Sequence, residues 1–440
     1  MLTKLDPKIS FIDKFDETIK LLSANNTPEW LNTFRQNGLS KFQELGFPTT
    51  KNEDWKYTNL SPVVTRTYKI LSTEKKLLEL NHFKEYCNPD EINIVFINGI
   101  FSKEFATLND LDFGIKVSTI KDALIKNELV IKQLLTKYST NTENVFITLN
   151  NALLNDGILI EVGNKVISQK LIHIIHVASS INEESLFSPR TIITLGASSE
   201  ATILESHISF NDESVYFSNS LTDIFLAENA TLHYCKAQKE SLKSYSVSAT
   251  RVLQERNSHF DHFSITAGSA ITRNNLDVIL EGEGSHTSLQ SLYSIYLNQH
   301  VDNHTSIDHQ VPNCTSNQLY KGILNGSSRA VFNGKIFVRP IAQQTNSYQL
   351  NKNLLLGKDC RVDTKPQLEI FADDVKCTHG ATIGQLNEEE IFYLQSRSIA
   401  RKDAIKMLAR GFAEDLLQNI KNESVHQKLN RLLEPSFAQL

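Results

Sequence analysis

No two cysteines in this 440-residue sequence stand at CxxC spacing, and the five present (Cys87, Cys235, Cys314, Cys360 and Cys377) are scattered and odd in number. That pattern excludes a disulfide framework and suits a reducing, cytoplasmic setting. No window approaches the roughly eighteen apolar residues of a membrane span. The opening stretch MLTKLDPKISFIDKFDE breaks each apolar run with charge, so neither a secretory leader nor a membrane partner is expected. Basic excess is missing as well: the net charge is -5, whereas a chain that binds nucleic acid normally carries positive charge to meet phosphate. There is no GxxxxGK[ST] loop to cradle nucleotide phosphates, and the GEG at Gly282 to Gly284 is too short to be more than a turn. Nothing among the serines and carboxylates forms a nucleophile elbow or a paired-acid motif. Tryptophan occurs only at Trp30 and Trp55, both early in the chain. The aromatic-lined groove of a carbohydrate-active enzyme is therefore not expected further on.

What is present falls into three stretches. Ile12, Phe15, Ile19 and Leu22 make a helical stripe, and Thr27-Pro28-Glu29 predicts a second helix, with Thr27 as cap and Pro28 at its first position. Trp30, Phe34, Phe42 and Leu45 continue its buried side. Trp55 and Tyr57 then sit among charges in NEDWKYTNL, which reads as a turn with aromatic anchors. Asn93 to Phe101 reads as strand, tight turn at Asn98-Gly99, and strand. Ser118 or Thr119 is placed to cap a helix running through Ile120, Leu124 and Val130.

From Val145 to about Val375 the elements read as short strands rich in Val, Ile, Thr, Ser and Phe, punctuated by Gly163-Asn164, Gly196-Ala197, Glu228-Asn229, Gly268-Ser269 and Gly357-Lys358. So long a run without a helical stripe requires an all-β architecture. A sandwich would be large for one domain, and a solenoid would bury each coil against the next. The turns before Ala201 and Ala230 lie 29 residues apart, but others fall elsewhere. Periodicity alone does not choose.

Beyond this region Asn387 and Glu390 stand at capping-box spacing, and Ser398 is placed to cap a longer helix. Its stripe is Ile405, Leu408, Phe412, Leu416 and Ile420, widened by Ala404, Met407, Gly411 and Leu417. Such a width exceeds what one neighbour covers, so either part of it meets another protein or the helix packs between the β-unit and a final helix bearing Val425, Leu429 and Leu432.

Two groups of residues carry metal chemistry in principle. Cys377 and His379 are two apart in a strand-like segment, so they share a face, and thiolate with neutral imidazole suits iron or zinc. His300, His304, His309 and Cys314 form a denser run, but their gaps do not match a zinc motif. Along a strand His300 and His304 would share a face that His309 opposes.

Four blocks of this sequence resemble one known family. They are NEDWKYTNL at Asn52 to Leu60, SSRAVFNGKIFVRP at Ser327 to Pro340, TNSYQLNKNLLLG at Thr345 to Gly357, and PQLEIFADDVKCTHGAT at Pro366 to Thr382. In this order they resemble the SufB/SufD family of the SUF iron-sulfur cluster assembly system, in its D-type branch. The likeness spans most of the chain and is densest from Ser316 to Asp415.

The resemblance implies a mainly β fold, a right-handed parallel β-helix over residues 143–384, flanked by an N-terminal helical and mixed domain (1–142) and a C-terminal helical domain (385–440). It implies a scaffold subunit without catalysis of its own. A SufB-like subunit would pair at the β-helix end, and a SufC-like ATPase would bind the C-terminal helices through Ile405, Leu408, Phe412 and Leu416. His379, with Cys377 as a weaker candidate, would face a transient iron-sulfur cluster shared with SufB. None is expected to stay on the chain alone, since its cysteines lack cluster spacing and Asn351 stands where SufB has a cysteine. Where SufB reads HEAT, this chain has His379-Gly380-Ala381-Thr382. A homodimer is one form open to the chain if SufB is missing, and the sequence does not decide it. The rival readings are a structural dimer with His379 in its core and, more remotely, a β-helical carbohydrate-active enzyme.

Overall fold

Asparagine, serine and glycine recur at positions where the chain must turn sharply, and in the computed structural model these become the corners of a coil. The structure describes residues 17–20, 22, 27–70, 86–108, 111–137, 142–155, 157–179 and 184–439. The stripe positions Ile12 and Phe15 lie outside them.

Among the described residues successive strands alternate between two sheets, one of eleven strands and one of ten, and stack in parallel into a β-solenoid of about eight turns. In the second sheet Glu200, Thr231, His259, His286 and Thr315 sit in one register column. Ser198, Asn229, Asn257 and Asn313 turn the corners with φ between 53° and 60°. That left-handed region is tolerated best by glycine and next by asparagine. Corner amides also bridge the coils: Ser198 donates to the Glu228 carbonyl, Asn229 to Arg256 and Asn257 to Glu283. Coil length is not constant, since Glu200 and Thr231 are 31 residues apart and His259 and His286 are 27 apart. The missing strict repeat follows from corners of variable length joined to strands of constant register.

Inside the coils Ile174, Ile203, Ile224, Leu232, Val252, Phe260, Val278, Leu289, Ile307 and Phe332 pack as one apolar core. At the N-terminal end Ile115–Thr119 and Ile100–Phe101 close the two sheets as antiparallel strands. The two-residue turn at Asn98 and Gly99 has φ of 51° and 79°, as a tight hairpin requires. Thr119 accepts from the Asp122 amide at the start of the helix Ile120–Thr136.

Three local expectations need correction. The helix Glu29–Leu45 begins after Pro28, not at it, and buries Leu31, Phe34, Leu39 and Phe42 while Leu45 is exposed. Val145–Ala152 is a helix rather than a strand despite its β-branched residues. Asn144 caps it by accepting from the Phe146 amide, and all eight of its residues are buried. It lies so close to Glu29–Leu45 that a Cβ on Gly38 would stand 2.8 Å from the Ala152 nitrogen. Packing has overridden intrinsic preference here. Lastly, Ser398 has φ of 65° in the turn before the helix Arg401–Leu417, whose N-cap is Ala400. Asn387 does cap Glu388–Ser396, through the Glu389 amide.

A buried ion cluster fixes the helix Val145–Ala152 to the first sheet. Arg190 donates to the side-chain oxygens of Asn150 (3.2 Å) and Asn151 (2.9 Å) and to Asp223 (2.5 Å). Arg251 reaches the other Asp223 oxygen at 2.7 Å. Burial alone would raise the Asp223 carboxyl, but the two guanidiniums outweigh it and hold the group below the ordinary carboxylate range.

On the opposite side, Arg401–Leu417 and Glu423–Ala438 lie along the outer face of the second sheet. Ala409, Ala413, Leu416, Leu417, Leu429, Leu433 and Phe437 pack on Leu204, Phe263, Leu292 and Ile323. Lys321, buried in the sheet, donates to the Phe412 carbonyl at 2.9 Å, pairs with Asp415, and lies 4.7 Å from the centre of the Phe412 ring. Lys321→Met keeps the apolar stem and removes the ammonium. It is expected to cost about 1–3 kcal/mol, read as a lower melting temperature and faster amide exchange across Arg401–Leu417.

Candidate functional site

The C-terminal end of the solenoid is built differently from the N-terminal end. Arg361–Ile370 and Val375–Gly384 are the outermost strands of their sheets, and among the described residues no strand pairs with their free edges. Each presents an open row of backbone donors and acceptors, a natural template for another chain. Tyr348, Ile370, Phe371 and Ile383 are exposed around this rim. Exposed apolar side chains beside an open strand edge are features that a partner surface would cover.

Register places the candidate ligands on that end. Cys377 stacks on Ser347 and His379 on Gln349, so both continue columns that are buried one coil earlier. Ser347 pairs with Ser316 at 2.7 Å, and Ser316 lies 2.9 Å from His309 Nε2. Gln349 donates to Gln318 at 2.7 Å, and Gln318 to Thr305 at 2.6 Å. The Gln349 side-chain oxygen is buried without a donor among the described residues. His379 itself is exposed and Cys377 half-buried. Burial pushes the Cys377 thiol above its ordinary value, which keeps it protonated and less ready than a thiolate to take a metal. Among the described residues no third ligand-bearing side chain groups with this imidazole and thiol.

Asn351 stands on the coil before, fully buried. Its amide donates to the Tyr293 hydroxyl and the Tyr320 carbonyl, each at 3.1 Å, and it accepts from Asn353 at 2.7 Å. With every polar atom committed, Asn351 is a structural residue.

The histidine run divides as its parity suggests. His300, Asp302 and His304 face outward and meet the NEDWKYTNL block. His300 Nε2 lies 2.8 Å from the Thr58 hydroxyl, Thr58 donates to Asp302 at 2.5 Å, and His304 Nε2 lies 3.0 Å from Asp302. Arg273 bonds Asp302 at 2.6 Å and the Asp54 carbonyl at 2.8 Å, its guanidinium 4.3 Å from the Trp55 ring centre. Arg273 and His304 overcome burial and hold the Asp302 carboxyl far below its usual range. His309 turns inward, where burial pushes it down to about 4, and Cys314 is buried at a corner, 3.3 Å from the Ser285 hydroxyl. His300, Asp302, His304 and Arg273 clamp the N-terminal block to the first sheet, while His309 and Cys314 are held elsewhere, so the run does not converge on one point.

Of the four helical positions expected to meet a partner, Leu416 is buried, and Ile405, Leu408 and Phe412 are half-buried. Phe412 is engaged by Lys321 of its own solenoid. The exposed apolar residues on these helices are instead Phe392, Tyr393 and Met407. The run Ile391-Phe392-Tyr393 carried the signal: three consecutive helical residues cannot share one face, and Ile391 is the buried one.

Comparison with known proteins gives a consistent result. Residues 176–412 match the family described as SUF system FeS cluster assembly, SufBD core domain, and residues 6–174 match the SufBD protein N-terminal region. The chain is 31% identical to the iron-sulfur cluster assembly protein SufD of Escherichia coli over 92% of this chain and 96% of that protein. It is also 31% identical to an iron-sulfur cluster assembly SufBD family protein of Synechocystis, over 90% of this chain and 89% of that one. With family models matching nearly its whole length and 31% identity to a SufD over 92% of the chain, the chain belongs to the SufBD family of the SUF iron-sulfur cluster assembly system and is SufD-like.

Proposed function

We propose that this chain is a non-catalytic scaffold subunit that offers the open end of its solenoid to a SufB-like subunit and its C-terminal helices to a SufC-like ATPase. The observation that carries the reading is the unpaired strand Val375–Gly384, which leaves His379 exposed at a register position that coil stacking buries elsewhere. An added strand would satisfy the free edge, cover Ile383 and Phe371, and bring its own ligands to His379. Iron and sulfide are then cargo, held transiently between the two chains. A second copy of this chain takes the same edge when the SufB-like subunit is absent. Nucleotide-driven movement of the ATPase changes this interface only if the ATPase binds the helices differently in its two states. No helix among the described residues is long and apolar enough to cross a membrane, and a cytoplasmic setting is proposed from the scattered cysteines.

Co-purification tests the two contacts separately. Phe371→Lys with Ile383→Lys is expected to weaken SufB-like binding tenfold or more, the loss of at least one ~2 kcal/mol hot spot, and to spare SufC-like binding. Phe392→Asp with Tyr393→Asp is expected to do the reverse. All four side chains are exposed, so folding is unaffected. Retention of both partners by both variants would move the interfaces elsewhere.

A further inference from the structure

Remote from the open end, the interior of the first coils holds a second group of ligand-bearing side chains. His176 and His207 are register partners on adjacent strands of the second sheet, and Glu205 lies on the same inward face two residues before His207. All three are buried, and one nitrogen of each histidine and one Glu205 oxygen lie within 4.8 Å of one another. His207 Nε2 is 3.1 Å and His176 Nε2 is 3.2 Å from the same atom, Glu205 Oε1.

We propose that His176, Glu205 and His207 form a structural site for a borderline divalent transition ion of the zinc or ferrous class. Two imidazole nitrogens and one carboxylate oxygen are the donors such ions take. The separations approach the edge of about 3.3 Å that bonds of about 2.0–2.1 Å give a tetrahedron. The same distances would fit two imidazole N–H groups donating to a carboxylate, and His207 does meet that geometry. His176 fits it less well: its Nε2 lies 3.2 Å from Oε1 but off the hydrogen-bond direction, and its Nδ1 is buried with no partner among the described residues. An ion gives His176 Nε2 a directed bond, with the proton of each imidazole on Nδ1.

The surroundings hold the three ligands ready. The far oxygen of Glu205 accepts from the Tyr234 hydroxyl and, at 3.0 Å, from Thr222 on the opposite sheet, which aims Oε1 between the rings. Phe96 stacks on His176 at 4.9 Å, and His176 on His207 at 4.5 Å. Outer-shell contacts of this kind fix ligand orientation. A dication also offsets the cost of a carboxylate buried beside neutral imidazoles. The ion enters before the coils close and does not exchange freely afterwards.

The test is the metal content of the full chain produced with cobalt as the probe, dialysed against a chelator and measured by elemental analysis and X-ray absorption. About one cobalt per chain is expected, with nitrogen and oxygen ligands and no sulfur. The double variant Cys377→Ser/His379→Ala should keep it, and Glu205→Gln should lose it. A folded wild-type chain that retains no cobalt, sulfur in the ligand shell, or full retention by Glu205→Gln would each overturn the site. The absorption spectrum needs only the wild-type chain, so a variant that fails to fold leaves the result decisive.

Discussion

Replacing His379 by alanine is expected to leave the fold untouched and to depress cluster assembly by the reconstituted SufB-like, SufC-like and SufD-like complex roughly tenfold or more, the scale of a disrupted metal shell. The side chain is exposed on the last strand, and surface substitutions of this kind shift stability by no more than about 0.5 kcal/mol. A histidine buried in a core would behave oppositely, costing about 1–3 kcal/mol for the partner left unpaired. Melting curves and cluster yield together therefore separate a ligand from a packing residue. His379→Cys sharpens the comparison, because thiolate replaces imidazole at a metal, whereas glutamine offers only an amide. Partial recovery with cysteine and none with glutamine is the expected pattern. Normal cluster output from a folded alanine variant would remove His379 from the mechanism.

The largest effect on stability is expected at Asp223, far from that end. Asp223→Ala leaves the guanidiniums of Arg190 and Arg251 buried without their shared counter-ion, and breaking such a cluster from one side costs about 3–5 kcal/mol. Denaturant unfolding should show it directly. The sign of its pH dependence follows from the Asp223 carboxyl being held below its ordinary value. Its contribution is complete above the unfolded-state value of about 4 and is lost as the pH falls through the folded-state value. The alanine variant should therefore lose that part of the wild-type acid sensitivity. A variant as stable as the wild type at neutral pH would mean that the cluster contributes nothing.

The contrast between these two residues shows what could be read in advance. Period-two alternation put Cys377 and His379 on one face of a strand, and parity alone set His309 against His300 and His304. What alternation could not supply was topology. His379 is exposed because Val375–Gly384 is the last strand of its sheet, a property of the whole stack rather than of the segment. Thr58 and His300, which bond across 242 residues, were legible only as two unrelated motifs. The helix Val145–Ala152 was read as strand because VFIT favours one, and its packing on Gly38 is invisible to local preference. Varying coil length hid the solenoid period, and the family blocks, rather than the spacing, chose the solenoid over a sandwich. The trio His176, Glu205 and His207 spans two coils, so no spacing rule could have joined it.

The open end of the solenoid is proposed to be a partner-binding edge. Hydrogen exchange of the full chain, measured alone and with the SufB-like subunit, tests this most directly. The expected result is strong protection of the Val375–Gly384 amides on mixing, extending to the rim around Phe371, with Ile115–Thr119 at the other end unchanged. Unaltered exchange in Val375–Gly384 within a complex that demonstrably forms would contradict it.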